Sequence, residues 1–436
     1  MAPGQSSGLR RALGALEFRD YRWFAAAQLV SSLGAQVLAI ATLWQVNLLT
    51  GNPLALGLTG LARAVPHIAL SLVGGVIADR FDRVRMIQIS QAANGALSLV
   101  LGALTLTGQI ALWHVYAFTF LNSAFSALTG PGRTALVPNL VPRHHLVNAI
   151  ALNTTIGQSS NIVGPAIGGL MIGAFDLSAT YLFNAVAYLG SMWALALIRA
   201  VAAPPPVEES PWRSLKDGLG FVRENSVIVS LMGMDFAAML FGSYRALLPV
   251  FAVSLGVGPE GFGLLNAAPG VGSLLGAAII MSLGDMRYKG LYTVFGILGY
   301  CAALVLLGLS PSIGPVPVEM GAFLGGHRFL LALLASGLLG LTDSIQMIPR
   351  NTAILSITPD LLRGRVEAFR SMLAGGGMPL GFVIGGALAQ ALGAPIAVIG
   401  GAATCAVVVI GVAVTRREVR DPELGTLAAA EAATRN

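Results

Sequence analysis

The segment LYTVFGILGYCAALVLLGLS, residues 291–310, carries no charged side chain. At about 1.5 Å per residue, a helix of some 20 residues crosses the roughly 30 Å hydrocarbon core of a bilayer. A second uncharged block runs from Ile396 to Val414, and similar stretches follow one another along the rest of the chain. Of the 436 residues, 55% are hydrophobic and 11% charged, with a mean hydropathy of +0.76. A soluble domain carries about 25% charged residues because its surface faces water. A spanning barrel would show segments of roughly 10 residues with alternating polarity, a pattern this sequence lacks. The predicted fold is an all-α membrane protein.

The apolar blocks resolve into twelve spans, at 24–48, 55–78, 85–107, 110–130, 147–174, 178–199, 227–254, 261–283, 290–310, 327–348, 368–391 and 394–415. An even number returns both ends of the chain to one side. The basic residues test that layout: 23 of the 26 Lys and Arg fall in the two tails or in alternate connections. Arg63 and Arg245 fall within spans, and Arg328 lies beside His327 on the other side. Basic loops mark the cytoplasmic face, so the expectation is a multi-pass inner (plasma) membrane protein with both termini cytoplasmic. The same segregation accounts for a pI near 9.7 without a nucleic-acid partner. Cys301 and Cys405 lie in apolar blocks and are read as neither disulfide partners, metal ligands nor nucleophiles. No cofactor or metal is expected. The first apolar block follows Arg10, Arg11, Arg19 and Arg22 and is too long for a signal-peptide core.

The longest connection, 200–226, holds Pro204-Pro205-Pro206, Glu208 and Glu209, and divides the spans six and six. Residues 1–199 are read as an N-terminal six-helix bundle, 200–226 as a cytoplasmic linker, and 227–436 as a C-terminal bundle with its tail. A shift of 217 residues superposes Arg133 on Arg350, Pro142 on Pro359, Gly164 on Gly381, Gly168 on Gly385 and Gly169 on Gly386. Such duplication points to two pseudo-symmetric halves, the architecture of alternating-access carriers that bind near the membrane midplane.

Two motifs sharpen this. At the inner end of the second span stands Gly74-Gly75-Val76-Ile77-Ala78-Asp79-Arg80-Phe81-Asp82-Arg83-Val84-Arg85. Its small residues let helices approach closely, and its charges can pair at the membrane edge. Gly75, Asp79, Arg80, Arg83 and Arg85 are therefore candidates for a latch that holds one conformation. In the fifth span, Gly164-Pro165-Ala166-Ile167-Gly168-Gly169 combines a proline kink with tight packing. The first motif resembles the loop-two signature of the major facilitator superfamily, Gly-x-x-x-Asp-Arg-x-Gly-Arg-Arg/Lys, with Asp82 and Val84 departing from it. The second is similar to the Gly-Pro-x-x-Gly-Gly motif of that superfamily's antiporters, with Ser160 in place of an upstream glycine. Pro131-Gly132-Arg133-Thr134-Ala135 and Arg350-Asn351-Thr352 with Thr358-Pro359-Asp360 further resemble the branch holding the enterobactin exporter, multidrug and macrolide efflux pumps. Lysophospholipid transporters are related to it. The resemblance implies a twelve-helix facilitator fold and export.

Charged groups inside spans are costly and usually serve function. Asp235 and Asp343 are the candidates for proton coupling, since a carboxylate in a low-dielectric cavity loads and releases protons near neutral pH. Structural ion pairing, Asp235 with a basic residue or Asp343 with Arg350, is the competing reading. Arg63, His67 one turn later, Arg245 and the stripe Gln28, Ser32 and Gln36 are candidates for a cavity lining. Helix–helix hydrogen bonding explains the stripe nearly as well. The expected function is a proton-driven exporter of a siderophore-like or drug-like molecule; the alternative is a lysophospholipid or lipid flippase. The expected partners are a small-molecule or lipid-like substrate, protons and membrane lipids, with the protein a monomer. No Walker-type loop is present. An intramembrane hydrolase using two aspartates is disfavoured, because it leaves the duplication unexplained and Asp343 follows Gly-Leu-Thr. No enzymatic activity is expected.

Overall fold

The computed structural model describes residues 14–199, 219–284, 286–312 and 326–421, excepting the side chains of 71–80. Thirteen α-helices of seven residues or more carry the chain within them, besides a short helical stretch at 219–224. They are α1 (Arg19–Thr50), α2 (Pro53–Arg80), α3 (Arg83–Leu106), α4 (Leu112–Leu140), α5 (Leu146–Phe175) and α6 (Leu177–Ala196), then α7 (Ser226–Phe241), α8 (Leu248–Ser254), α9 (Gly258–Leu283), α10 (Lys289–Leu309), α11 (His327–Ile357), α12 (Asp360–Leu392) and α13 (Ala394–Thr415). The described residues contain no strand. Helices α7 and α8 form one broken span, Ser226–Ser254, interrupted by a 3-10 turn at Arg245–Leu247. Counted so, there are twelve spans where the sequence places them. Nine of these are apolar enough to cross a membrane by composition alone; α4, α5 and α6 complete the set.

Two helices run further than the sequence reading has them. Helix α4 continues through Pro131 and Pro138 to Leu140, and α11 continues through Pro349 to Ile357. Proline usually ends a helix in water, but in a membrane protein neighbouring helices re-satisfy the freed backbone groups. Arg133 and Arg350 are consequently not loop residues. Helix α12 likewise begins at Asp360, so Arg363, Arg365 and Arg370 are helical too.

The chain divides into two compact units, Met1–Leu49 with Ala62–Glu208, and Thr50–Leu61 with Glu209–Asn436. The opening turns of α2 thus group with the second unit, where a Cβ on Gly57 would stand 2.5 Å from the Phe382 carbonyl oxygen of α12. Of the linker read at 200–226, residues 200–218 lie outside the described residues.

Within each unit the same helices pair. In the first, α3 packs along α6 and α4; in the second, α10 packs along α13 and α11. Small residues make the closest approaches. A Cβ on Gly164 of α5 would lie 2.5 Å from Gln36 Cβ of α1, and one on Gly168 would lie 3.2 Å from Val37 Cα. Their register mates on α12 do the same: a Cβ on Gly381 would lie 2.8 Å from Ser243 Cβ, at the end of α7. The matches Gly164–Gly381 and Gly168–Gly385 are therefore places where the fifth helix of each half lies on the first or on the residues just past its end, whereas Gly386 lies against Gly57 of α2. Pro165, Gly164, Gly168 and Gly169 are all buried.

The first unit's basic end is closed by a buried cluster of Tyr21, Phe24, Val84, Ile87, Leu136 and Leu195. Tyr21 adds a hydroxyl bond to the Ala149 carbonyl at 2.7 Å, which satisfies a polar group that would otherwise cost about 1–3 kcal/mol in that setting.

Candidate functional site

Asp235, the tenth residue of α7, faces α11. Arg350 Nη1 donates to Asp235 Oδ1, and the two form a buried ion pair with side chains 3% and 10% exposed. The same Nη1 donates to Gln346 Oε1 at 2.5 Å, and Gln346 Nε2 donates to Asp343 Oδ1 at 2.8 Å. Gln346 and Arg350 sit one helical turn apart on α11, and Asp343 three residues before Gln346, so one helix face presents all three. The result is a chain of hydrogen bonds, Asp235–Arg350–Gln346–Asp343. Both sequence-chosen aspartates belong to it: Asp235 pairs with a basic residue, as one form of the alternative considered above has it, and that residue is Arg350, whereas Asp343 takes the Gln346 amide instead of Arg350.

The chain lines a cavity of about 200 Å³ whose walls all come from the second unit. Arg245, at the break between α7 and α8, also lines it and interacts electrostatically with Asp343 and with Tyr244 and Tyr300. Tyr300 OH donates to the Gly242 carbonyl at 2.9 Å. That bond satisfies a backbone acceptor freed where α7 stops, which is how a spanning helix tolerates a break. Arg370 reaches the same cavity from α12 and holds Glu367 through Nε at 2.8 Å. Met239, Met347, Met378 and Phe382 supply an apolar wall, and the mixture of flexible apolar side chains with a few fixed polar groups suits a small amphipathic molecule.

In the first unit, Arg133 Nη1 donates to Gln28 Oε1 at 3.3 Å and Ser31 Oγ at 3.5 Å. Gln28 Nε2 donates to Ser32 Oγ at 3.1 Å, and Gln36 Nε2 to Asn161 Oδ1 of α5 at 2.5 Å. The polar stripe of α1 is thus engaged by α4 and α5, as the helix–helix reading has it. Arg63 and His67 are exposed on α2 and lie within electrostatic reach of each other. Ser123 Oγ of α4 donates to the Arg63 carbonyl at 2.6 Å, tying the two helices together.

Part of the latch motif has another role. Asp82 is the N-cap of α3, accepting from Val84 N at 2.9 Å and Arg85 N at 3.2 Å. Arg83 is buried and donates from Nη1 to the Ala135 carbonyl of α4 at 3.0 Å. Arg85 is exposed, with Nε 3.9 Å from Asp82 Oδ2. The side chains of Gly75, Asp79 and Arg80 lie outside the described residues.

Three residues the sequence reading left out of the site belong to it, Gln346, Tyr300 and Arg370, and Arg350, which it offered as a partner for Asp343, is the partner of Asp235. The Arg133–Arg350 match in the repeat was the available signal. A basic residue kept at one register of a duplication is better explained inside a helix than in a loop.

A family model described as transmembrane secretion effector matches residues 11–432. Among curated relatives, an uncharacterised MFS-type transporter YfiS of Bacillus subtilis is 28% identical over 88% of this chain and 90% of its own. Enterobactin exporter EntS of Shigella boydii is 24% identical over 78% of each chain. Solved structures share the fold at low identity. The nucleoside transporter NupG superposes with a TM-score of 0.70 at 12% identity, covering 90% of this chain and 98% of that one. A D-xylose–proton symporter gives 0.62 at 13%, covering 90% and 96%. The twelve-span architecture and the match over nearly the whole chain lead to one assignment: this protein belongs to the transmembrane secretion effector family of the major facilitator superfamily.

Proposed function

We propose that the protein is a proton-coupled secondary exporter that moves a siderophore-like or drug-like amphipathic small molecule out of the cytoplasm by alternating access. The observation that carries this reading is the buried Asp235–Arg350 pair continued through Gln346 to Asp343 inside a cavity. An ion pair removed from water is held in place at a considerable desolvation cost, so its retention in an apolar bundle suits a group whose charge state changes during work. Protonation of Asp235 would release Arg350, and Gln346 offers the freed guanidinium a path toward Asp343. Proton binding then becomes a choice between two hydrogen-bond arrangements, and a bistable element of this kind is what coupling requires. The similarity to EntS supports a siderophore-like cargo, and the Met-rich wall suits an amphipathic one. The protein works as a monomer among membrane lipids, transporting rather than catalysing, with both termini in the cytoplasm of a cell whose plasma membrane it spans.

The test is flux in proteoliposomes under an imposed pH gradient, with wild type, Asp235→Asn and Asp343→Asn compared at equal protein. Gradient-driven flux should fall at least about tenfold in Asp235→Asn while downhill exchange of cargo persists. Undiminished gradient-driven flux in both variants would sink the coupling assignment.

A further inference from the structure

The chain has two cysteines, Cys301 and Cys405, more than a hundred positions apart. In sequence they share nothing beyond an apolar setting, yet packing brings them together. Helix α10 lies along α13, and two glycine contacts fix the register of that crossing. A Cβ on Gly308 would stand 2.6 Å from Ile399 Cγ1 and 3.1 Å from the Pro395 carbonyl oxygen. A Cβ on Gly290 would meet the Val419 carbonyl oxygen, just past the end of α13. The two helices therefore run antiparallel, and Cys301, between the two glycines, falls opposite Cys405. Gly290, Cys301 and Gly308 are spaced by 11 and 7 residues, close to whole numbers of turns, so all three share one face of α10. Cys405 belongs to the buried stripe Val398, Ala402, Cys405 and Val409 of α13. The two thiols share a hydrogen bond in this seam, and their residues are 4% and 0% exposed.

Two thiols in contact can hold a metal ion or close a disulfide. Structural zinc takes four ligands, and among the described residues no three His, Cys, Asp or Glu side chains are placed to hold a metal. Two thiolates around one monovalent ion would leave a net negative charge in apolar surroundings, at a high cost. A disulfide is neutral. It needs Cα atoms within about 7 Å of each other, a separation that a crossing lined by small residues permits. Water-borne oxidants have no route to so buried a seam, whereas Val407 and Ile410 of the same helix turn outward to the lipid-facing surface. The pair also stands at a sensitive place. Tyr300, beside Cys301, donates to the Gly242 carbonyl, and Gly401, one turn before Cys405, packs on the Phe241 carbonyl. Helices α10 and α13 thus both brace the end of α7 at its break, and a bond between the cysteines joins the two braces.

We propose that Cys301 and Cys405 form a redox site, which closes to a disulfide between α10 and α13 on reaction with a neutral two-electron oxidant dissolved in the bilayer, either a quinone or a small apolar disulfide. Two S–H bonds break and one S–S bond forms. A quinone takes both electrons and both protons and leaves as the quinol. A small disulfide reacts by exchange: one cysteine forms a mixed disulfide, the other resolves it, and the reagent leaves as two thiols. The site stands apart from the exporter reading, since it needs neither cargo nor a proton gradient.

The experiment treats the full-length wild type in nanodiscs with decylubiquinone, with 4,4′-dithiodipyridine, or with tetrathionate, a water-soluble dianion. The protein is then digested without reductant, and linked peptides are identified by mass spectrometry. At least one neutral oxidant should join the Cys301 peptide to the Cys405 peptide in most of the protein, while the chain stays a monomer on a non-reducing gel. Dithiothreitol should reverse the link, and tetrathionate should leave both thiols free. Whichever neutral reagent acts identifies the oxidant, decylubiquinone a quinone and dithiodipyridine a small disulfide. The linked protein should melt higher than the reduced one, by about 4 °C or more, because a bond formed in place constrains a loop of roughly 100 residues. Cys301→Ser, treated in the same way, should show neither the link nor the rise. The proposal is overturned if neither neutral oxidant links the pair or if the link joins two copies of the chain. Equal closure by tetrathionate, or a linked protein that melts no higher than the reduced one, overturns it as well.

Discussion

Removing either member of the Asp235–Arg350 pair should cost far more than removing both. Arg350 is 3% exposed and Asp235 10%, so neither charge can turn to water when its partner goes. At an effective dielectric constant of about 20 and a hydrogen-bonded separation near 3 Å, the attraction is roughly 5 kcal/mol. Breaking a buried pair from one side typically costs about 3–5 kcal/mol. Arg350 is especially sensitive to this loss, because among the described residues its Nε has no acceptor and its Nη1 holds, besides Asp235, Gln346. Asp235→Ala and Arg350→Met are each expected to destabilise by about 3–5 kcal/mol. The double variant, which leaves an apolar contact, should lie within about 2 kcal/mol of the wild type, since uncharged replacements of buried pairs are often neutral. The double-mutant cycle therefore predicts an interaction energy of at least about 3 kcal/mol. Reversible unfolding in mixed micelles, followed by tryptophan fluorescence, measures all four proteins. Additivity of the two single costs within about 0.5 kcal/mol would show that the pair does not exist as an energetic unit, and the proton-coupling argument built on it would fail with it.

Three further outcomes follow from local geometry. Gly164→Leu should push α5 off α1, because even a Cβ there would stand 2.5 Å from Gln36 Cβ. A loss of about 1–3 kcal/mol and of flux is expected, whereas Gly157→Ala, with nothing within 4 Å, should leave the thermal midpoint unchanged. Asp82→Ala removes the acceptor for two backbone amides at the start of α3 and should cost about 1 kcal/mol, recovered in Asp82→Asn; identical melts for all three would refute the capping role. Asp176, which caps α6 and sits at φ 95°, has its carboxyl held below the usual aspartate range by the Ala179 amide and then by the Ser178 hydroxyl. Its folded value is depressed, so its contribution is present above about pH 4 and is lost as pH falls through the lower folded value. Asp176→Asn should flatten that acid limb in a pH series of thermal melts, and an unaltered limb would exclude the effect.

The spans were readable because burial in lipid leaves a one-dimensional trace. A bilayer demands about 20 consecutive apolar residues, and nine of the spans are apolar enough over that length, each at the place the sequence has it. The duplication was readable for a related reason: Gly164 and Gly381 match because a close helix crossing admits no side chain, whichever half it is in. The ends of α4 and α11 were misread because Pro131 and Pro349 are breakers only when nothing nearby replaces the lost backbone bond, and that replacement is a property of neighbours. The site was half readable. Asp235 and Asp343 stand out as charges among apolar residues, but Arg350, Arg370 and Gln346 look like ordinary polar residues near a helix end. That Arg350 chooses Asp235 over Asp343, and that Gln346 joins the two, depends on how α7 and α11 lie side by side. Composition and periodicity set which residues enter the membrane, since each residue meets lipid on its own account. Which charges meet is decided by residues more than a hundred positions apart, and only the packed bundle brings them within the few ångströms over which a hydrogen bond acts.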